Sequence, residues 1–458
     1  MACLVAGCLL TVCLALFSCK KFVTADLPID KVTAATVFES DETATAAVLG
    51  IYSQMMSTAP FLFSGGTTVY GGLSADEFYV TSASAVEDAE FERNSIQPGN
   101  GTLWGNFWVR AYRHIYQANA CIEKLPLSTA LSPAVRIRLL GEAQFIRAFC
   151  YFYLVNFFGD VPLVLSTTYE TTAMQPRNSV DEVYNQILTD LTAAKAALPA
   201  AYATSERIRP NKWAAALLLA RVKLYRNDWA GAEAEASEVV SSGVYSLVAN
   251  LNSVFLAGST EAVWQLMPVE SGFNTTEARY VTVSTTTTTP PTYALTASLL
   301  NAFEAGDARK AAWVGVKMSN GQPYNYAFKY KVRNIGLPVT EYYMALRYAE
   351  AYLIRAEART RLNSLNAALA DLNVIRARAG LTAASASTAA GLLSAIEKER
   401  RIEFMAEWAH RWFDLKRTNR ADPVLAAQKP VWQASRALFP VPLSELLRNP
   451  ALVQNPGY

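Results

Sequence analysis

Apolar residues recur at three- and four-residue steps through much of this chain, the spacing that gathers them on one face of an α-helix. In LWGNFWVRAYRHIYQANACIEKL (103–125), Trp104, Phe107, Trp108, Ala111, Ile115 and Ala118 keep that step. The stretch RIRLLGEAQFIRAFCYFYLVNFFGDVPLV (136–164) is apolar nearly all round, which predicts a buried helix stopped by Gly159 and closed off by Pro162. SVDEVYNQILTDLTAAKAALP (179–199) opens on Ser179 with Glu182 three residues later, a capping box that supplies partners to otherwise free N–H groups. An earlier helix starts at Asp41-Glu42, where acid suits the helix dipole, and carries Ala44, Val48, Ile51 and Tyr52 on one face.

Two further segments read as helix pairs. KWAAALLLARVKLYRNDWAGAEAEASEVVSSG turns at Asn227-Asp228 and stops at Gly243. YAEAYLIRAEARTRLNSLNAALADLNVIRARAG follows the same plan, with a turn near Asn363-Ser364, a stop at Gly380, and small residues at Ala349, Ala356 and Ala358 that admit a close partner. This grammar resembles tetratricopeptide repeats, but long insertions separate the units and argue against a tandem solenoid. Two regions lack the helical period. Residues 60–103, with Gly65-Gly66, Gly71-Gly72 and Pro98-Gly99, read as a long loop region. Residues 245–343, with TVSTTTTTPPTY and scattered tyrosines, read as loops with a few short strands, EAVWQLM being the best candidate. The expected fold is mainly α: tetratricopeptide-like helix pairs in an α–α superhelix, with a loop-rich inserted subdomain.

The N-terminus has its own pattern. Met1 to Ser18 carries no charge and is too short to be comfortable as a membrane span, so it reads as a signal peptide. Leu16-Phe17-Ser18-Cys19 resembles the lipobox of bacterial lipoproteins, which makes Cys19 the expected lipidation site and 19–40 a lipidated tether. Ordinary secretion with a cleaved cysteine-rich leader stays open. No Lys or Arg precedes the apolar run, which suggests a true start a few codons upstream.

Composition narrows the chemistry. Forty-one Lys and Arg against thirty-nine Asp and Glu leave a net charge of +2, which gives no electrostatic argument for nucleic acid. Of six cysteines, Cys3, Cys8 and Cys13 fall in the removed leader, and Cys121 and Cys150 sit in helical apolar patterns as small hydrophobes. One bridge between those two stays open. The two histidines, His114 and His410, form no zinc-binding spacing, and no phosphate or dinucleotide loop is present, so neither metal nor cofactor is expected. ERRIEFMAEWAHRWFDLKR gathers Glu399, Glu403, Glu407, His410, Arg411 and Asp414. Its four-residue spacing reads as a salt-bridged helix surface, with Arg400, Arg401 and Arg411 in reach of the glutamates. Phe404, Trp408, Trp412 and Leu415 form a core stripe behind it, and Trp104 and Trp108 are likewise expected in the core.

GEAQFIRAFCYFYLVNFFGDVPLV, IRARAG, ERRIEFMAEWAHRWFDLKR, the terminal LFPVPLSELLRNPALVQNPGY and the opening CKKFVTADLPIDKVT together resemble the SusD/RagB family of Bacteroidetes lipoproteins, in the family's order. The resemblance implies helical regions at 41–244 and 344–458 around an insertion at 245–343. It also implies a lipid-anchored protein on the outer face of the outer membrane. There it would capture a nutrient, usually an oligosaccharide, for a SusC-like TonB-dependent transporter. Members are binding proteins rather than enzymes.

A sugar site needs aromatic faces together with carboxylates, amides and arginine, carried on loops that a rigid scaffold positions. The 73–103 region offers Asp76, Tyr79, Arg93 and Asn94; the 270–330 region offers Tyr280, Tyr293, Trp313 and Tyr324. Two rival readings remain. A glycoside hydrolase would use two of the loop carboxylates Asp76, Glu77, Asp88 and Glu304. A non-catalytic interaction scaffold would bind no small ligand at all.

Overall fold

Helix pairs form the frame of the protein, in a computed structural model that describes residues 36–284 and 287–458. The apolar leader, Cys19 and most of the tether lie outside the described residues. The helices of eight residues or more are α1 (Asp41–Met55), α2 (Thr67–Ser74), α3 (Val109–Lys124), α4 (Pro133–Phe158), α5 (Val180–Ala197), α6 (Lys212–Tyr225), α7 (Trp229–Ser241), α8 (Tyr348–Arg361), α9 (Leu365–Arg378), α10 (Ala389–Glu403) and α11 (His410–Arg417). Among the described residues no helix is long and apolar enough to cross a membrane.

Local chemistry sets the ends of these helices. Ser40, Asn211, Asp228 and Thr388 accept backbone N–H groups at the starts of α1, α6, α7 and α10. The Ser179–Glu182 capping box starts α5 as expected. Asn227 and Asn363, both at φ 61°, make the left-handed turns inside the α6–α7 and α8–α9 pairs, and Gly159 at φ 73° stops α4. Helix α4, buried on nearly every side, packs against α3 and α5, and α7 packs against α8. A main core runs through most of the protein, with a smaller one at Leu353, Leu372, Ile375, Ile396 and Phe404 between α8, α9 and α10.

Among the described residues six short strands, β1 (Phe78–Val80), β2 (Ala262–Leu266), β3 (Tyr293–Leu295), β4 (Val314–Ser319), β5 (Gln322–Ala327) and β6 (Tyr343–Arg347), pair antiparallel as β1–β3, β2–β6 and β4–β5. Strand β2 is the expected EAVWQLM strand.

Four expectations need correction, the last of them the core placement of Trp104. Residues 60–103 are not one long loop, because α2 and Val86–Glu92 are helical. Gly71 and Gly72 lie inside α2, where they admit neighbours: an added Cβ would fall 2.3 Å from Ala409 Cβ and 2.4 Å from the Phe78 ring. The stretch 399–417 is not one helix either. It breaks between α10 and α11, with Ala406, Trp408 and Ala409 in the left-handed region, although Phe404, Trp408, Trp412 and Leu415 are all buried. Nor is its charge a surface feature. Glu399, Glu403 and Glu407 are buried and pair with Arg309, Arg347, Arg376, Arg378 and Lys329 from other elements. Arg400 turns instead to Asp414, and Arg401 and Arg411 turn to Asp76. Cys121 and Cys150 are free buried thiols. Trp108 is in the core; Trp104 is half-buried and donates its indole N–H to Glu445 at 2.8 Å.

Candidate functional site

The β1–β3 ladder joins the two regions from which ligand residues were expected, setting Tyr79 opposite Ala294. Beside it, the Val80 N–H donates to Glu92 at 2.9 Å, tying β1 to the short helix Val86–Glu92. Burial raises the Tyr79 phenol above its ordinary range, and the neighbouring Tyr324 and Glu92 raise it further. Tyr324 stands on the β4–β5 hairpin opposite Lys317, whose ammonium donates to the carbonyls of Ser284 at 3.1 Å and Thr287 at 2.5 Å. Tyr326 shares that face and lies over Gly315, where an added Cβ would come within 2.2 Å of the ring. The hairpin thus presents half-buried tyrosines, held against the threonine-rich segment by a lysine.

That segment also borders a groove of about 450 Å³ lined by Arg279, Tyr280, Thr282, Thr289, Pro291 and Arg333, a size that suits a small ligand. Tyr280 and Arg279 project from the short helix Thr276–Val281, started by the Thr275 side chain. Arg279 sits 5.1 Å from the Phe273 ring centre and 5.9 Å from that of Tyr280. The same helix is anchored inward by Glu277, which accepts the Thr68 hydroxyl at 3.3 Å. Burial pushes the Glu277 carboxyl up to about 8, so it stands neutral at pH 7. Tyrosine faces, threonine hydroxyls and two guanidinium groups suit a polyhydroxylated ligand: apolar ring faces stack, and polar groups meet hydroxyls.

Of the eight residues expected to bind ligand, Tyr79, Tyr280 and Tyr324 are half-buried and Arg93 is exposed. The other four are internal. Trp313 is fully buried and donates its indole N–H to the Leu251 carbonyl at 3.0 Å. Tyr293 is buried and donates to Asp88 at 2.9 Å. Asn94 is buried, donating to the Ser74 carbonyl and accepting from Lys429. Asp76 is buried between Arg401 and Arg411; burial pushes its carboxyl up, but the two guanidinium groups outweigh that and hold it at about 2. None of these four lines the groove. Sequence reasoning missed Arg279 and Arg333, because nothing local distinguishes an arginine that lines a groove from a solvated one.

The carboxylates weighed for hydrolysis are each engaged. Asp76 serves two arginines, and Asp88 serves Tyr293. Glu304 binds Arg376 at 2.8 Å. Glu77 accepts the Ala406 N–H at 3.3 Å, its carboxyl pushed up to about 8 by burial and then by Asp76. His114 and His410 are buried, and burial lowers both pKa values, that of His114 to about 4. Among the described residues no three His, Cys, Asp or Glu side chains gather as metal ligands.

Residues 36–224 match a family described as starch-binding, associating with the outer membrane, and residues 309–458 match the SusD family. A SusD-like protein of Formosa agariphila, P25, is 25% identical, with 96% of this chain and 97% of the relative covered. Another from that organism, P2, is 29% identical over 77% and 80%. A SusD superfamily structure from Bacteroides vulgatus superposes with a TM-score of 0.80 at 20% identity, covering 91% and 99%. A laminarin-binding SusD-like protein superposes at 0.79 with 24% identity, covering 92% and 100%.

Proposed function

Because the chain belongs to the SusD/RagB family, we propose that it is a cell-surface lipoprotein that captures an oligosaccharide in the groove around Tyr280 and on the Tyr79–Tyr324 face. It then passes this nutrient to a SusC-like TonB-dependent transporter. Cys19 carries the lipid anchor in this reading, and no catalytic step occurs. The observation that carries it is that Tyr79 neighbours Tyr324 on the hairpin whose Lys317 bonds Thr287, in the segment that also borders the Tyr280 groove. Three separate elements, β1, β5 and the helix Thr276–Val281, supply these tyrosines, with Arg279 and Arg333 in the groove wall to meet hydroxyls. The description of the matched family as starch-binding, and the laminarin-binding neighbour, set the first glycans to try.

Calorimetric titration with a glycan panel that includes starch and laminarin oligosaccharides tests this reading. Tyr79→Ala, Tyr280→Ala and Tyr324→Ala are each expected to weaken binding by about thirtyfold, the loss that goes with a hot-spot aromatic of about 2 kcal/mol. Arg93, exposed and outside the groove lining, is expected to contribute less. A protein that binds none of the panel, or variants that bind as tightly as the parent, would overturn the assignment.

A further inference from the structure

Two cavities of about 220 and 400 Å³ adjoin between α10, α11 and the segment that follows, sharing Ser394, Glu397 and Arg420 in their walls. They lie apart from the tyrosine groove and have no residue in common with it. Their walls carry seven cations against four carboxylates, Asp76, Glu357, Glu397 and Asp414. Lys398 is partly compensated from outside by Glu304 at 3.2 Å, but the arginines share what remains. Asp76 serves both Arg401, at 2.5 Å, and Arg411, at 2.8 Å. Asp414 serves both Arg400, at 2.8 Å, and Arg417, at 2.7 Å.

Donors outnumber acceptors as a result. The buried Nε of Arg401 and the buried Nη1 of Arg400 have no hydrogen-bond partner in the protein. Arg400 is 2% exposed, so its guanidinium has little recourse to bulk water. An unsatisfied buried donor on a charged group costs more than a neutral one, and an incoming acceptor relieves that cost. Arg420 and Lys398, with about half their side-chain surface exposed (52% and 49%), stand at the open rim. Guanidinium groups inside with half-exposed cations at the mouth are suited to an oxyanion, whose oxygens accept several N–H bonds at once.

We propose that these adjoining cavities bind a small oxyanion: a sulfate, phosphate or carboxylate group, either free or carried on a sugar. Titration calorimetry of the full chain with sodium sulfate, sodium phosphate, glucuronate and glucose 6-sulfate tests it, each against sodium chloride of matched ionic strength. One-site saturable binding above the chloride control is expected with at least one of these anions. Arg401→Gln and the rim double variant K398Q/R420Q should each weaken it at least tenfold. Tighter binding of glucose 6-sulfate than of sulfate would assign the site to a sugar-borne group; equal binding would assign it to the free ion, and both uphold the site. The rim variant alters only partly exposed side chains, so it decides the matter even if Arg401→Gln fails to fold. Absence of saturable binding for every anion, or affinity unchanged in K398Q/R420Q, would overturn the proposal.

Discussion

Arg221 and Glu350 lie 129 positions apart and meet in a two-pronged ion pair at 2.6 and 2.7 Å, with almost no surface exposed on either. The pair fastens α6 of one helix pair to α8 of the other, and the Tyr153 hydroxyl accepts a further Arg221 N–H at 3.3 Å. Removing one charge strands the other in the interior. Glu350→Leu alone should cost about 3–5 kcal/mol in denaturant titration, whereas Arg221→Met with Glu350→Leu should regain most of it. A single variant within 1 kcal/mol of the parent would show that the pair is hydrated in solution.

Gly71 predicts an opposite pair of glycine substitutions. Gly71→Ala forces a methyl to 2.3 Å from Ala409 Cβ and 2.9 Å from its Cα, in a stretch of backbone already left-handed at φ 57°. A loss of about 1–3 kcal/mol or more is expected from such overpacking. Gly50→Ala in α1 meets nothing within 4 Å and should gain about 0.5–1 kcal/mol from helix propensity. Melting curves of the two variants check both signs.

Trp313 and Tyr324 separate packing from binding. Trp313→Ala empties a fully buried site and should cost about 3–5 kcal/mol of stability. Tyr324→Ala should melt close to the parent and show its effect only in glycan titration. An early-melting Tyr324→Ala with normal affinity would recast that tyrosine as a hairpin anchor.

Glu277 makes a prediction about pH. Its carboxyl rises from an ordinary value of 4.5 to about 8 in the folded state, so between those values the folded protein holds a proton that the unfolded chain has released. Its stabilising share is complete below about pH 4.5 and is lost as pH rises through 8. Glu277→Gln keeps the acceptor for Thr68 and removes the titration, so its stability should fall less than the parent's between pH 5 and 8. Glu77, also at about 8, retains its own share of the slope. Parallel stability–pH curves for Glu277→Gln and the parent would refute this account.

Where structure follows from neighbours in sequence, it was legible. The Ser179 capping box, the turns at Asn227 and Asn363 and the stop at Gly159 rest on contacts a few residues apart, and the EAVWQLM strand showed in its own alternation and β-propensity although its partner, β6, lies about eighty positions on. Gly71 and Gly72 misled because their reason is Ala409 and Phe78, and for Gly71 that reason is over three hundred positions away. Trp313 and Tyr293 misled in a different way. They lie in segments without a sustained helical period, which resembled exposure, yet the three-residue strand β3 and the short helix Ala308–Trp313 bury their rings as thoroughly as a long helix does. The groove was half legible: its tyrosines stood out by type, while Arg279 and Arg333 acquire their place only through the path of the loop.

The carboxylates at Glu399, Glu403 and Glu407 also bear on how this protein comes apart. In an ordinary tandem array each unit touches only its neighbours, so ends can fray while the middle persists. Here Arg309 and Lys329 from the segment between β3 and β6, Arg347 from β6 and Arg378 from α9 all converge on those three side chains. Against the upward pull of burial, Arg378 and Arg347 hold the Glu403 carboxyl well below the usual carboxylate range. Detaching any one segment would leave a naked charge in another, so partial opening is penalised and the hub behaves as a keystone. Limited proteolysis should therefore release no stable half-molecule, and unfolding of the hub, the segment between β3 and β6 and the second helix pair should follow a single transition.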